Sequence, residues 1–160
     1  MEITFLGTSG MHPTKERNLF SIFFSCNSEN ILIDCGEGTQ RQLRIADIPS
    51  TKITRIFLTH LHGDHINGLL GLFQNLQANQ YNKQLEIYGP SGLKKLMKNI
   101  SEIIGGRLEI KINEIQQGII FKNKDFYVEA KELEHSTKIY GYSFVENEKR
   151  KINLNYLKKF

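Results

Sequence analysis

The hydrophobic positions fall into short blocks punctuated by glycine, proline and asparagine, and the spacing within blocks switches between strand-like alternation and helix-like recurrence. Ile3 to Gly7 predicts a first strand, closed by a turn at Gly7-Thr8-Ser9-Gly10. Leu19 to Phe24 and Ile31 to Ile33 predict a hairpin turning at Asn27 to Asn30. Arg41 to Ile45 has helical spacing. Ile53 to Leu58 reads as a buried strand, and Ile66, Leu69, Leu70, Leu72, Phe73 and Leu76 predict a helix from about His65 to Asn79. Leu85 to Tyr88 is a short strand ended by Gly89-Pro90. Ser91 is expected to N-cap a helix through about Ile104, with Leu93, Leu96, Met97 and Ile100 on one face and Gly105-Gly106 as its stop. Strands are predicted at Leu108 to Ile115, Gly118 to Phe121, Phe126 to Leu133 and Ile139 to Val145, with a turn at Asn123-Lys124-Asp125. Strands interleaved with helices predict an α/β domain, and no repeat or low-complexity tract interrupts it.

Composition narrows the class. The 160 residues suffice for one domain with a core, and 39% hydrophobic with 24% charged content is ordinary for a globular chain. No apolar run approaches a membrane span, and Met1-Glu2-Ile3-Thr4 lacks the charged and apolar regions of a signal peptide, so a cytoplasmic protein without membrane contact is expected. Cys26 and Cys35 form no C-x-x-C pair and read as reduced, buried thiols. The formal charge of +4 is unevenly placed. Residues 138–160 hold six basic and two acidic residues, so the whole excess lies there. A basic end of this kind can meet phosphate or be a solvated terminus.

The chemistry concentrates in Phe57-Leu58-Thr59-His60-Leu61-His62-Gly63-Asp64-His65, at the junction of the buried strand and the helix. His60 and His62 point the same way if the alternation of the strand persists. Asp64 and His65 follow where the chain bends at Gly63. Three imidazoles and a carboxylate within six residues form a donor set suited to zinc or a similar divalent ion; exposed loop residues, with Asp64 near a helix N-cap, are the alternative. Upstream, Asp34 directly follows a strand and precedes Gly36-Glu37-Gly38, which reads either as a shaped loop near the site or as a helix start. His135 follows a strand in Leu133-Glu134-His135-Ser136. A lone histidine there is more often structural, but His60 and His62 need a third ligand, and the unassigned histidines are His12 and His135. His12, beside Pro13, is left as a candidate for the substrate loop.

The H-x-H-G-D-H arrangement resembles the metallo-β-lactamase superfamily, in which the positions of His60 and His62 bind one metal and those of Asp64 and His65 a second. Three further stretches resemble one branch, ribonuclease Z, which removes the 3′ trailer from precursor tRNA. Pro13-Thr14-Lys15-Glu16-Arg17-Asn18 is similar to its P-x-K-x-R-N loop, Leu32 to Gln40 to its first acidic motif, and Glu134-His135 with Gly141-Tyr142 to its third motif. The resemblance implies the N-terminal half of a metallo-β-lactamase-type αβ/βα sandwich, a mixed sheet with flanking helices, over residues 1–148. It implies Zn2+ on His60, His62 and His135, a second metal on Asp64 and His65, Asp64 as the catalytic residue, and Pro13, Lys15, Arg17 and Asn18 against tRNA. Residues 149–160 resemble the entry to the tRNA-gripping arm.

The departure from the family pattern shapes the expectation. Its enzymes are longer, and their second half supplies a bridging aspartate and a further metal-ligand histidine. Residues 136–160 contain neither Asp nor His. The resemblance therefore implies a partial enzyme needing a complementary C-terminal half chain or a dimer partner. It also implies an apolar sheet face left open to water. A catalytically inactive metal-binding protein, or a hydrolase of the same fold acting on a small ester or thioester, are the alternatives.

Overall fold

The computed structural model describes residues 1–106 and 108–148; the basic segment 149–160, with its expected likeness to a tRNA-gripping arm, lies outside the described residues. Strand β1 (Glu2–Gly7) pairs antiparallel with β2 (Ser21–Cys26), which pairs antiparallel with β3 (Glu29–Ile33). The β2–β3 turn is tighter than the sequence suggests. Cys26 pairs with Glu29, leaving Asn27 and Ser28 as the loop, and Asn27 takes φ 53°, a left-handed conformation asparagine tolerates. After β3 come α1 (Thr39–Ile45), a 3₁₀ turn (Ser50–Lys52) and β4 (Arg55–Phe57). Strands β5 (Leu85–Gly89) and β6 (Ile110–Glu114) follow, and β3, β4, β5 and β6 are mutually parallel neighbours. The result is a six-stranded mixed sheet in sequential order, as the α/β reading expects.

Two helical expectations are corrected. The continuous helix from His65 to Asn79 is instead a single turn, α2 (Gly63–Ile66), and a separate helix, α3 (Leu69–Ala78). The break falls where Gly68 lies against the main chain of Gly36, so closely that a Cβ there would collide with the Gly36 carbonyl oxygen. Helix α4 (Leu93–Ile104) is not capped by Ser91. The Glu114 carboxylate accepts the amides of Gly92 (2.9 Å) and Lys94 (3.1 Å), satisfying two of the free donors that a helix start exposes.

One face of the sheet packs on these helices through Leu32, Ile56, Leu58 and Ile87, against Leu69, Leu72, Phe73, Leu76, Leu93 and Met97. The opposite face meets a second, three-stranded antiparallel sheet of β7 (Gly118–Lys122), β8 (Phe126–Leu133) and β9 (Ile139–Glu146). Phe24, Ile31, Phe57 and Tyr88 from the first sheet enclose a core with Phe126, Val128, Ala130 and Tyr140 from the second. Here Phe57 meets Tyr88 edge-on at 4.8 Å between ring centroids, and Tyr142 at 5.4 Å. The expected open apolar face is therefore mostly covered by the chain itself. It stays open at β1. Ile3 pairs with Phe24 and so shares its face, and Phe5 lies two residues on; they are 58% and 65% exposed.

The same inter-sheet face carries a half-buried charge network. Arg55 bridges Glu29 and Glu86, Lys111 reaches Glu86 at 3.0 Å, the Tyr88 hydroxyl donates to Glu86 at 2.9 Å, and Phe121 lies 4.2 Å under the Arg55 guanidinium. Both cysteines are free and buried. Burial and the neighbouring Asp34 charge push the Cys35 thiol up to about 12, although Thr39 hydrogen-bonds to it, which suits an inert packing residue.

Candidate metal centre

The site forms where the parallel strands end. Beyond β4 the chain stays on the sheet, with the Leu58 amide donating to the Tyr88 carbonyl at 2.8 Å, and then leaves it through Thr59 to His62. The second sheet docks on this exit. Tyr140 donates its amide to the Thr59 carbonyl (2.9 Å), and the Tyr142 hydroxyl donates to the Leu58 carbonyl (2.7 Å). Docking brings His135, just past β8, to the two histidines that follow β4. His135 Nε2 lies 3.4 Å from His62 Nδ1, and one ring nitrogen from each of His60, His62 and His135 falls within 4.8 Å of the other two. Three converging imidazole nitrogens with an open side fit a divalent ion of the zinc type. His60 is buried at 4% exposed, and burial, with three neighbouring histidines, pushes its pKa down to about 4. It is thus held neutral, the form that has a lone pair to give.

Asp64 and His65 sit beside this cluster. His65 Nε2 is 3.5 Å from Asp64 Oδ2, and the His60 and His65 rings are 4.1 Å apart. Burial disfavours ionised Asp64, but the Met11 amide, donating to Oδ2 at 2.9 Å, and the nearby histidines outweigh it and hold the carboxyl below its usual range. The same amide ties the N-terminal loop to the centre. For His65, burial works against protonation, and the hydrogen bond and charge of Asp34 overcome it.

Asp34 was open to two readings in the sequence, and the structure excludes the helix start. Gly38 occupies the N-cap of α1, and no side chain caps it. The Asp34 carboxylate is wholly buried and turns to Thr59 and His65. Burial pushes its pKa up against these bonds. Thr59 and the Met11 amide were not legible as site groups. An acidic residue directly after a buried strand was the one local signal.

Of the expected substrate-loop residues, Lys15 and Arg17 are exposed and line a groove of about 440 Å³ with Asn18, Arg41 and Ile45. The lining includes none of the clustered histidines. The Thr14 hydroxyl accepts the amides of Glu16 (3.2 Å) and Arg17 (2.9 Å), so the loop is a closed turn. Pro13 and His12 are exposed. Asn18 is half-buried, and its side-chain amide donates to the Glu37 carbonyl at 2.8 Å, fastening the loop to the segment after Asp34.

Comparison with known proteins agrees with this geometry. The chain is 42% identical to ribonuclease Z of Listeria monocytogenes over 155 residues, 94% of this chain and 51% of that protein. It is likewise 42% identical to ribonuclease Z of Nanoarchaeum equitans, over 99% of this chain and 50% of that one. It spans about half the length of the curated relatives it matches. Its fold superposes on human tRNase Z, short form, with a TM-score of 0.80 at 32% identity, over 91% of this chain and 65% of that chain. The metallo-β-lactamase fold protein YhfI of Bacillus subtilis gives a TM-score of 0.74 at 21% identity, over 89% and 56% of the two chains, a likeness of fold alone. A family model described as "Anti-Pycsar protein Apyc1" matches residues 1–149. With that match, the mixed sheet and the histidine cluster together, the chain belongs to the metallo-β-lactamase-fold family of that description, and it resembles one half of a ribonuclease Z.

Proposed function

We propose that this chain is the metal-binding part of an endoribonuclease that removes the 3′ trailer from precursor tRNA, and that it acts with a complementary half. The convergence of His60, His62 and His135 from two different sheets carries the reading, because a structural histidine has no need of two others at its ring nitrogens. The similarity to ribonuclease Z over nearly the whole chain supports the substrate. In this reading the three histidines hold one zinc ion, and Asp64 and His65 contribute to a second. Bound divalent ions supply Lewis-acid activation and charge stabilisation for phosphodiester hydrolysis. Asp64 orients or deprotonates the attacking water. Lys15 and Arg17 contact phosphate, Arg17 with a fork that a lysine lacks. Pro13 shapes that loop, and Asn18 holds it.

Two groups on the second ion are too few, and residues 136–160 add no Asp or His. Catalysis is assigned to these residues together with a bridging carboxylate and a further histidine supplied from outside residues 1–160, on the same polypeptide or on another. The exposed Ile3 and Phe5 support a partner at the β1 end of the inner face. The test is a precursor-tRNA cleavage assay on the chain alone and mixed with a candidate complementary half, beside metal analysis. The expected result is about one tightly held zinc per chain, cleavage only in the mixture, and tRNA binding that weakens steeply with salt and with Lys15→Ala/Arg17→Ala. Metal content unchanged in His60→Ala/His62→Ala refutes the ligand assignment. Metal-dependent 3′ cleavage by the chain alone, lost in Asp64→Ala, refutes the need for a partner.

A further inference from the structure

Asp34 does more at the centre than its distance from the histidine cluster suggests. It is fully buried and takes three hydrogen bonds: the Thr59 amide to Oδ1 at 2.7 Å, and the Thr59 hydroxyl and His65 Nδ1 to Oδ2, both at 2.8 Å. The Thr59 oxygen also lies 2.9 Å from His60 Nδ1. A threonine hydroxyl carries one hydrogen. With that hydrogen committed to Asp34, the remaining contact closes only if His60 Nδ1–H donates to Thr59. The geometry points to a relay in which one buried carboxylate sets the tautomer of two histidines, His65 directly and His60 through the Thr59 hydroxyl, leaving Nε2 of each as its lone-pair donor.

Three further observations fit a positioning role rather than a mere strut. His60 belongs to the three-imidazole cluster and His65 to the neighbouring carboxylate pair, so a single group prepares both halves of the centre. Asp34 is held at φ 56°, a left-handed conformation that costs a non-glycine residue energy and that the surrounding structure must impose. The imposing bonds are present: the Asp34 amide donates to the Phe57 carbonyl at 2.9 Å, and the Ser21 hydroxyl donates to the Asp34 carbonyl at 2.9 Å. Free histidine in water has no partner to choose between its nitrogens. A ligand whose proton is parked on the far nitrogen needs no rearrangement to bind an ion, which is why such outer partners matter to metal affinity.

The consequence for metal binding rests on the ligand assignment above; the tautomers do not, because they are read in metal-free protein. Long-range 15N–1H correlation spectra of the full chain, recorded at a pH where the His65 ring is neutral, should show Nδ1–H and bare Nε2 at both His60 and His65. Thr59→Val, nearly the same shape without the hydroxyl, should release His60 to a mixture of tautomers and leave His65 unchanged. Thr59→Ser should retain both. Zinc affinity by chelator competition should fall about tenfold in Thr59→Val and recover in Thr59→Ser. Asp34→Asn should disturb both rings, and Thr59→Val keeps the test alive if that variant does not fold. Nε2–H at His60 in the unmodified protein, or a His60 tautomer indifferent to Thr59→Val, overturns the relay. Tautomers as expected with no zinc uptake by the unmodified protein support the relay and overturn the metal reading instead.

Discussion

Replacing Phe57 by alanine tests whether the two sheets are held together as described. The side chain is fully buried at the centre of the inter-sheet core, in ring contact with Tyr88, Tyr142 and Phe144. Truncating a buried phenylalanine costs about 3–5 kcal/mol, because transfer energy and a residual cavity add. The cost should lie at the upper end here, since both sheets are pinned nearby by main-chain bonds and cannot collapse into the space. At about 2 kcal/mol/M for urea, a loss of about 4 kcal/mol moves the unfolding midpoint down by about 2 M. Phe5→Ala is the internal control. It is the same residue type on the same face of the same sheet, but 65% exposed beyond the edge of the second sheet. It should cost less than about 1 kcal/mol. Urea unfolding followed by far-UV circular dichroism, at two protein concentrations, gives both values. A loss below about 1 kcal/mol for Phe57→Ala would refute the packing. Equal large losses at both positions, dependent on protein concentration, would show that β1 is covered in solution by another copy.

Two other perturbations follow from particular contacts. Gly68→Ala places a methyl group onto the Gly36 carbonyl, and backbone cannot rotate away, so a loss of about 1–3 kcal/mol in a thermal or urea melt is expected, with weaker zinc uptake; an unchanged midpoint would contradict the close approach. For Glu86, burial disfavours the charge, but hydrogen bonds from Lys111 and Tyr88 and the Arg55 charge outweigh it and depress the pKa. Its contribution is therefore present above the unfolded value of about 4.3 and is lost as pH falls through the depressed folded value. Glu86→Gln should flatten the fall in urea midpoint between neutral and acid pH, and an acid limb identical to that of the unmodified protein would count against it.

The sequence was most informative where structure is local. Apolar alternation located the strands, and the ligand-rich run at 60–65 was legible because its donors are neighbours in the chain. It was least informative where the partner is remote. Ser91 looked like a cap because the true cap is a carboxylate at Glu114, beyond α4 and one strand away. The helix from His65 onward looked continuous because nothing near Gly68 reveals that Gly36 lies against it. At Asp34 a shaped loop near the site and a helix start could not be told apart from the sequence, because its partners, Thr59 and His65, come into reach only through parallel pairing of β3 with β4. His135 could be joined to His60 and His62 only through a resemblance, because the contact depends on how a second sheet docks.

The packing of Gly36 has a mechanical consequence. A Cβ on Gly36 would press on the Leu19 side chain at 2.6 Å and on the Asp64 carbonyl at 2.7 Å, and Gly68 presses on Gly36 from the α3 side. Leu19 directly follows the Asn18 that fastens the basic loop, and Asp64 belongs to the donor set. Between loop and donors there is thus main chain stacked on main chain, with almost no side chain to change rotamer and absorb a displacement. Such a stack is stiff in compression, like plates without a gasket. A displacement of the basic loop therefore has few side-chain rotamers to absorb it before it reaches the Asp64 backbone.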